Sequence, residues 1–443
     1  MRIAVIGAGI VGVTTAFELA SQGHEVVVFE RRSSVATSSS FATGAVLGPS
    51  LLGPQPDSGA LDRLLGKRAF PWSAQLSPGL RIEAWRWIWH AWQTHRRQRT
   101  DNATSALAAL ARASLARLQD LSASHALEFE SSEGQLIVLR DRVPQSQIEA
   151  LAEELKVSGV AAVWLDESAC RMREPALNSE AEFFGGLYLP DDAAGNCRQF
   201  AHLLREAAER LGTDFRCSAT VSGIEPGPRP ILRWEEVEHP TIMATRRYAG
   251  MSSRPVPNDP TTPGSGQQQF DAIVLCTGAL ANDLLRPLGL SLPLMQVHGC
   301  SVTAALRNLD HAPVSVLTDP AEGITISRLG QRVRVTGGME IGSPSYSREY
   351  ETVDRLYAVL QAWFPGVAHF NQPQLWRGSS PMLSDGLPCI GRSGAPGVWL
   401  NLGHAAHGWA LACGSARALA EQIDGLKASV SIEAFSPARL LGR

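Results

Sequence analysis

The sequence predicts an α/β protein in which one domain is interrupted by a second, mixed-sheet domain and then completed at the C-terminus. Three observations carry this. The first thirty residues read as strand, glycine-rich turn, helix and strand. A second apolar strand, in FDAIVLCTGALANDLL, runs into Thr277-Gly278 and a helix after a long proline-rich stretch. A glycine-rich approach followed by a long helix, WLNLGHAAHGWALACGSARALAEQI, closes the chain.

The opening unit is the most specific. Residues 3–6 form an apolar run suited to a buried parallel strand, and residues 13–20 continue as helix. Between them Gly7, Gly9 and Gly12, separated by Ala8, Ile10 and Val11, make G-x-G-x-x-G. The first glycine permits the tight turn, the second lets backbone approach a pyrophosphate, and the third permits close helix-strand packing. The helix N-terminus presents free N–H groups to phosphate. The second strand, 25–29, ends in Glu30-Arg31. Glu30 stands where a carboxylate takes ribose hydroxyls and disfavours a 2′-phosphate. Strand, helix, strand and acid in register read as an adenine-dinucleotide site.

Size and composition set the bounds. A chain of 443 residues with 44% hydrophobic content can supply two cores. A net charge of −3 argues against a nucleic-acid partner, and no segment approaches 18 uninterrupted apolar residues. The first strand begins at residue 3, which leaves no room for a cleavable leader and fits a cytoplasmic protein. Seven cysteines without a C-x-x-C pair read as buried hydrophobes in a reducing compartment, with no metal site.

Residues 33–78, rich in Ser, Gly and Pro, read as loops crossing a ligand. Helices are expected at 82–97, 103–125 and 144–157, with a strand at 135–139. A strand end at 186–190, an amphipathic helix at 197–211 and a short strand near Phe215 follow. Residues 226–269 carry eight prolines between 226 and 263 and read as an exposed, dispensable insertion. Strands at 314–317, 323–329 and 332–336 belong to the mixed sheet. The expected division is 1–78, 186–290 and 385–443 for the cofactor domain, with 79–185 and 291–384 for the substrate domain.

SFATGA (40–45), GGLYLPDDAAGNCRQF (185–200), AIVLCTGA (272–279), DGLPCIG (385–391) and WLNLGHAAHGWALACGSA (399–416) occur in this order. In these segments the chain resembles the FAD-dependent D-amino-acid oxidase and glycine/sarcosine oxidase superfamily, most closely its bacterial D-amino-acid dehydrogenase small-subunit branch. The resemblance implies a glutathione-reductase-type, Rossmann FAD domain with an interleaved α+β substrate domain. It implies that Gly7 to Gly12, Glu30 and Arg31 hold the ADP half of FAD, with Val221 near adenine and Thr277-Gly278 near the pyrophosphate. Ser39, Thr43 and Gly44 would pass along the flavin, and Gly403, His404 and Gly408 would bring the last helix N-terminus to it. Relatives often carry Asn at Thr43 and Gly at Ala45.

The implied reaction moves a hydride from the Cα–H beside an amine of an amino acid or related amine to flavin N5. The imine is then hydrolysed to a 2-oxo acid or other carbonyl. Such chemistry needs orientation and electrostatics more than a triad or paired carboxylates. Sarcosine-oxidase-like members place a lysine beside the flavin to assist oxygen, and none of Lys67, Lys156 and Lys427 sits in a flavin motif, so the resemblance implies a quinone or carrier as electron acceptor. An oxygen-using oxidase and a flavin subunit of a larger complex stay open as alternatives. His298, where close relatives often have Lys, is a substrate candidate, and His404 and His407 are candidates for tuning the ring.

The carboxylate anchor is the unsettled part. Relatives carry an arginine before a proline ahead of the Asp-Gly turn, and here Ser380 occupies that place. Arg377 could replace it only if Gly378 introduced a bulge, because 377 and 380 point to opposite faces of a regular strand. Arg328 is the other candidate. Without such an arginine, simple D-amino acids are expected to be poor substrates. The tryptophan-rich segment 85–92 is expected to pack against the substrate domain, with an interfacial helix at the inner membrane face as the second reading. Arg117 reads as part of a solvated helix face.

Overall fold

The computed structural model describes residues 1–51, 75–76, 82–96, 101–236, 264–342 and 346–441. Among these residues the strands form three sheets. The first has six strands, in the order Cys389–Arg392, Val398–Leu402, Ala272–Leu275, Arg2–Ile6, Glu25–Glu30 and Asp214–Cys217. Its central pairings are parallel, with Ile3 opposite both Val26 and Ala272. Both faces are covered at its centre, where Arg2–Ile6, Glu25–Glu30 and Ala272–Leu275 carry unbroken apolar runs. On one face helices Ile10–Ser21, Cys197–Arg210 and Gly408–Ile423 pack over Val5, Val28 and Val274. On the other lies a three-stranded antiparallel sheet, Ala219–Glu225, Ile231–Glu236 and Ser265–Gln269.

That small sheet corrects the reading of 226–269 as one dispensable insertion. Its central strand, Ile231–Glu236, and one edge strand, Ser265–Gln269, lie inside the stretch, and Leu232 is wholly buried in one cluster with Ile273 and Phe270. Pro226, Pro228 and Pro230 stand in the connection between Ala219–Glu225 and Ile231–Glu236, not in place of a strand. Residues 237–263 lie outside the described residues.

The mixed sheet has ten strands. Its order is Ala368–Leu383, Leu294–Leu306, Arg332–Ile341, Ile324–Leu329, Val316–Asp319, Ser131–Leu139, Gly185–Gly195 and Val46–Leu47, with Gln75–Leu76 and Val163–Asp166 attached beside this path. Helix Tyr346–Trp363 packs Leu356, Leu360 and Trp363 under one face. The opposite face looks toward the six-stranded sheet and forms the site described below.

Helix Asp101–His125, from the range expected for the substrate domain, packs Leu107, Leu110 and Leu118 into the core of the cofactor domain. It crosses the last helix so closely that a Cβ on Gly414 would stand 2.9 Å from the Leu110 carbonyl oxygen. Arg117 does not belong to a solvated face. It donates to both carboxylate oxygens of buried Glu18, at 2.8 and 3.0 Å, tying this helix to Ile10–Ser21.

Helix Ile82–Arg96 buries Trp87, Ile88 and Ala91 against Val297, Ile341 and Met382. Trp87 donates to the Pro293 carbonyl at 2.9 Å, while Trp85 and Trp89 face outward. All seven cysteines are free, and five of them are buried. No described helix is long and apolar enough to cross a membrane.

Candidate active site

One cavity lies between the sheets, lined by the start of the first helix, the 39–48 loop, the mixed-sheet face and the approach to the last helix. The glycine loop that precedes Ile10 is built from backbone. Gly7 has φ +97° and its Cβ would meet the Cys276 carbonyl oxygen at 2.7 Å, so the turn requires glycine. A Cβ on Gly12 would lie 1.8 Å from the Gly7 carbonyl oxygen, which fixes the helix-strand approach. At Gly9 a Cβ would meet only the Ser40 hydroxyl, at 3.4 Å, so this side of the loop is an open cradle. The helix has no side-chain N-cap. Glu30 accepts hydrogen bonds from the backbone N–H groups of Ala8 and Arg32, both at 2.8 Å, which sets its carboxylate beside the glycine loop. Half-buried Val221 packs beside Phe29 in the small-sheet core.

Two polar atoms await a partner here. The Thr277 hydroxyl, just past strand Ala272–Leu275, and the Thr336 hydroxyl in the cavity wall are both buried without a hydrogen bond. Such groups are rare in a finished interior and suit a polar ligand. With the open cradle at Gly9, they fit a dinucleotide such as FAD.

The 39–48 loop is held from several sides. Ser40 accepts from the Ile10 N–H at 3.0 Å, and the Ser39 hydroxyl donates to the Ser379 carbonyl. Arg334 donates to the Thr43 carbonyl at 3.2 Å, and the Thr43 hydroxyl accepts from the Ala45 N–H at 3.2 Å. Ala45 itself has φ +65° and is buried. The departure from the glycine common in relatives thus falls on a left-handed position, where a Cβ costs roughly 1–2 kcal/mol.

Of Gly403, His404 and Gly408, the last starts the closing helix and lines the cavity. Gly403 has φ +78°, and a Cβ there would meet Leu383 at 2.6 Å. His404 turns away: it is buried, shares a 3.1 Å hydrogen bond with Ser415, and burial pushes its imidazole down to about 3, so it is neutral. Of His404 and His407, it is His407 that lines the cavity. Between them Ala405 takes φ +49°, a strained turn that delivers the uncapped helix N-terminus to the cavity.

At the substrate end strand Ala368–Leu383 presents Trp376, Gly378, Ser380 and Met382 to the cavity. Its register with Leu294–Leu306 runs unbroken from Leu383 to Gln374, so Gly378 makes no bulge. The Trp376 indole folds over Gly378, where a Cβ would stand 1.7 Å from the ring. Arg377 therefore faces away, held by Glu340 at 2.8 Å and Glu349 at 3.3 Å. Arg328 shares its strand face with Ile324 and Ile326 of the helix-side core, opposite cavity-lining Thr325. His298 borders the cavity but pairs with Ser379 and Glu340, on the face of Arg377. Burial, and then the Arg377 guanidinium, lower its pKa. Of the five candidate side chains, only Ser380 points into the cavity. The residues alone do not single out Thr336 and Trp376, whose signal is sheet parity and needs the register.

The family described as FAD dependent oxidoreductase (DAO) matches residues 2–422. The chain is 34% identical to a protein named D-amino acid dehydrogenase from Cereibacter sphaeroides, over 96% of this chain and 92% of that one. It is 30% identical to one of the same name from Bradyrhizobium diazoefficiens, over the full length of both. In fold it is similar to glycine oxidase from Geobacillus kaustophilus, with a TM-score of 0.70, 18% identity and full coverage of both chains. L-Proline dehydrogenase from P. horikoshii also gives 0.70, at 17% identity, covering 99% of this chain and 97% of that one. The glycine cradle, the Thr277 and Thr336 hydroxyls without partners, and the cavity at the last helix's N-terminus thus stand in a chain that belongs to the DAO family of FAD-dependent oxidoreductases.

Proposed function

We propose that this chain is an amino-acid dehydrogenase that oxidises the CH–NH bond of a D-amino acid or related amine and passes the electrons to a quinone or carrier. The observation that carries the reading is one cavity at which Ile10, at the start of the first helix, the 39–48 loop and the uncapped N-terminus of Gly408–Ile423 meet, with a sheet face as the other wall. FAD, when bound, supplies the hydride acceptor. Gly7 to Gly12, Glu30, Thr277 and Gly278 would hold its nucleotide half, and the 39–44 loop would lie along the ring. The N-terminus of Gly408–Ile423 favours negative charge in the cavity through its dipole and free N–H groups. Trp376 and Met382 exclude water from the substrate end. The relatives' shared name supports the D-amino-acid class. Lys156 and Lys427 lie outside the cavity lining, in keeping with a dehydrogenase, and Lys67 lies outside the described residues. Peripheral contact at the inner membrane face is supported by outward Trp85 and Trp89 on an arginine-bearing helix.

No arginine is among the described cavity-lining residues, so we infer a substrate held less by its carboxylate than by shape, such as a cyclic imino acid or an amine. The test is anaerobic bleaching of the flavin band by a panel of D-amino acids, D-proline derivatives, N-methyl amino acids and amines lacking a carboxylate, with wild type and Ser380→Arg. The inference expects wild type to favour the cyclic or carboxylate-free compounds and Ser380→Arg to gain tenfold or more on D-alanine. Rapid wild-type bleaching by D-alanine with no gain in the variant overturns it.

A further inference from the structure

The sheet face that lines the active cavity continues into a second cavity. Along strands Arg332–Ile341 and Ala368–Leu383, Thr336 and Trp376 line the first, and one strand step further Arg334 and Gln374 line the second. Phe41 and Trp376 stand between the two, stacked with ring centroids 6.4 Å apart and planes 21° off parallel. Phe41 lines the second cavity and Trp376 the first.

The second cavity is cationic. Arg198, Arg332 and Arg334 line it against a single carboxylate, Glu130. Arg332 takes that carboxylate, which also accepts from Asn196 at 2.7 Å. Arg198 lies 4.3 Å over the Phe41 ring and has no carboxylate partner among the described residues. Arg334 is buried, donates only to the Thr303 hydroxyl at 2.9 Å and the Thr43 carbonyl, and likewise has no carboxylate partner. Burial, followed by Arg332, holds its pKa down to about 10. Two guanidinium groups that form no ion pair among the described residues, beside one carboxylate already held by Arg332, concentrate anions in this concavity.

We propose that this second cavity docks the electron acceptor through an acidic group, so that a small redox compound bearing a carboxylate or phosphate sits against Arg198 and Arg334, one aromatic pair away from the active cavity. The proposal rests on the dehydrogenase reading above. Re-oxidation moves two electrons per turnover, one to each of two one-electron acceptors or both to a two-electron acceptor, and releases the hydride-derived proton to water. Phe41 and Trp376 fill the gap with conjugated rings and shorten the space the electrons cross.

Ferrocyanide, an anion that cannot oxidise, probes the site alone, and calorimetric titration of the FAD-loaded protein reads its binding. The expected result is saturable binding by wild type, at least tenfold weaker in Arg198→Glu and partly kept in Arg198→Lys. In stopped flow, dithionite-reduced Arg198→Glu should be re-oxidised by ferricyanide at least tenfold more slowly than wild type, yet by neutral benzoquinone within twofold of it. Reduction by the amine substrate should stay within twofold, which also reports an intact fold. Equal ferrocyanide binding by wild type and Arg198→Glu, or equal slowing with benzoquinone, overturns the proposal. Absence of bleaching by every amine instead overturns the dehydrogenase reading, and the ferrocyanide titration still decides the site.

Discussion

The two ends of the active cavity are built by different means. At the nucleotide end the determinants are absences of side chains: Gly7, Gly9 and Gly12 shape a cradle through backbone geometry, and Glu30 fixes it through two N–H groups. At the substrate end the determinants are side chains whose direction depends on pairing across a ten-stranded sheet. A backbone-built site is local and tolerates no substitution. A sheet-built site is nonlocal, and each residue on it can be exchanged singly.

The largest functional effect that tests this contrast is Gly9→Val. Its side chain would enter the open cradle without striking the fold, so the variant should fold normally and lose FAD. A hundredfold weaker affinity, close to 3 kcal/mol, is expected. Gel filtration followed by flavin absorbance, with circular dichroism as the fold control, measures it. Stoichiometric flavin in the variant would show that the glycine cradle is not where the pyrophosphate lies.

Asp192 gives a pH-dependent effect on stability. It sits on Gly185–Gly195, buried behind cavity-lining Gly48, and accepts from the Ser50 N–H at 3.2 Å and from the Ser50 hydroxyl. Burial, only partly offset by Ser50, pushes its carboxyl up from 3.8 to about 7. The folded state thus binds a proton that the unfolded chain has released. Its stability contribution is full below about pH 4, declines as pH rises to about 7, and is flat above. Asp192→Asn should therefore be more stable than wild type at pH 8 by about 4 kcal/mol and near-equal at pH 4. Urea unfolding at the two pH values checks it, and an unchanged difference between them would refute the buried-acid assignment.

Ala45→Gly should do least. Relief of the left-handed strain is offset by a more flexible unfolded chain and a lost buried methyl, for a net change within about 0.5 kcal/mol. Thermal unfolding reads it. A change beyond about 2 kcal/mol in either direction would mean that Ala45 packs or bends otherwise than described.

This contrast also explains what could be read from the residues. The βαβ unit, the strand before Thr277 and the last helix are signalled by spacing over a few residues, so they are legible without knowing what they face. Strand parity set Arg377 and Ser380 on opposite faces, but which face met the cavity depended on pairing with Leu294–Leu306, far back in the chain. The same gap put Arg328 among the candidates. His404 and His407 look alike in sequence, and the left-handed Ala405 between them decides which enters the cavity. Asp191 and Asp192 are adjacent carboxylates, one exposed and one buried. Arg117 read as solvated because its partner, Glu18, sits on another helix.

Strand Ala368–Leu383 lies at the margin of its sheet, paired along its length with a single neighbour. A register shift of one position exchanges the two faces of a strand. Deleting one residue between Gly378 and Pro381 would therefore swing Arg377 inward and carry Glu340's partner away from its helix-side cluster. An anion anchor could in this way be gained or lost by indel rather than by substitution. Related chains that differ in length here would sort by charge preference without a single change in the residues themselves.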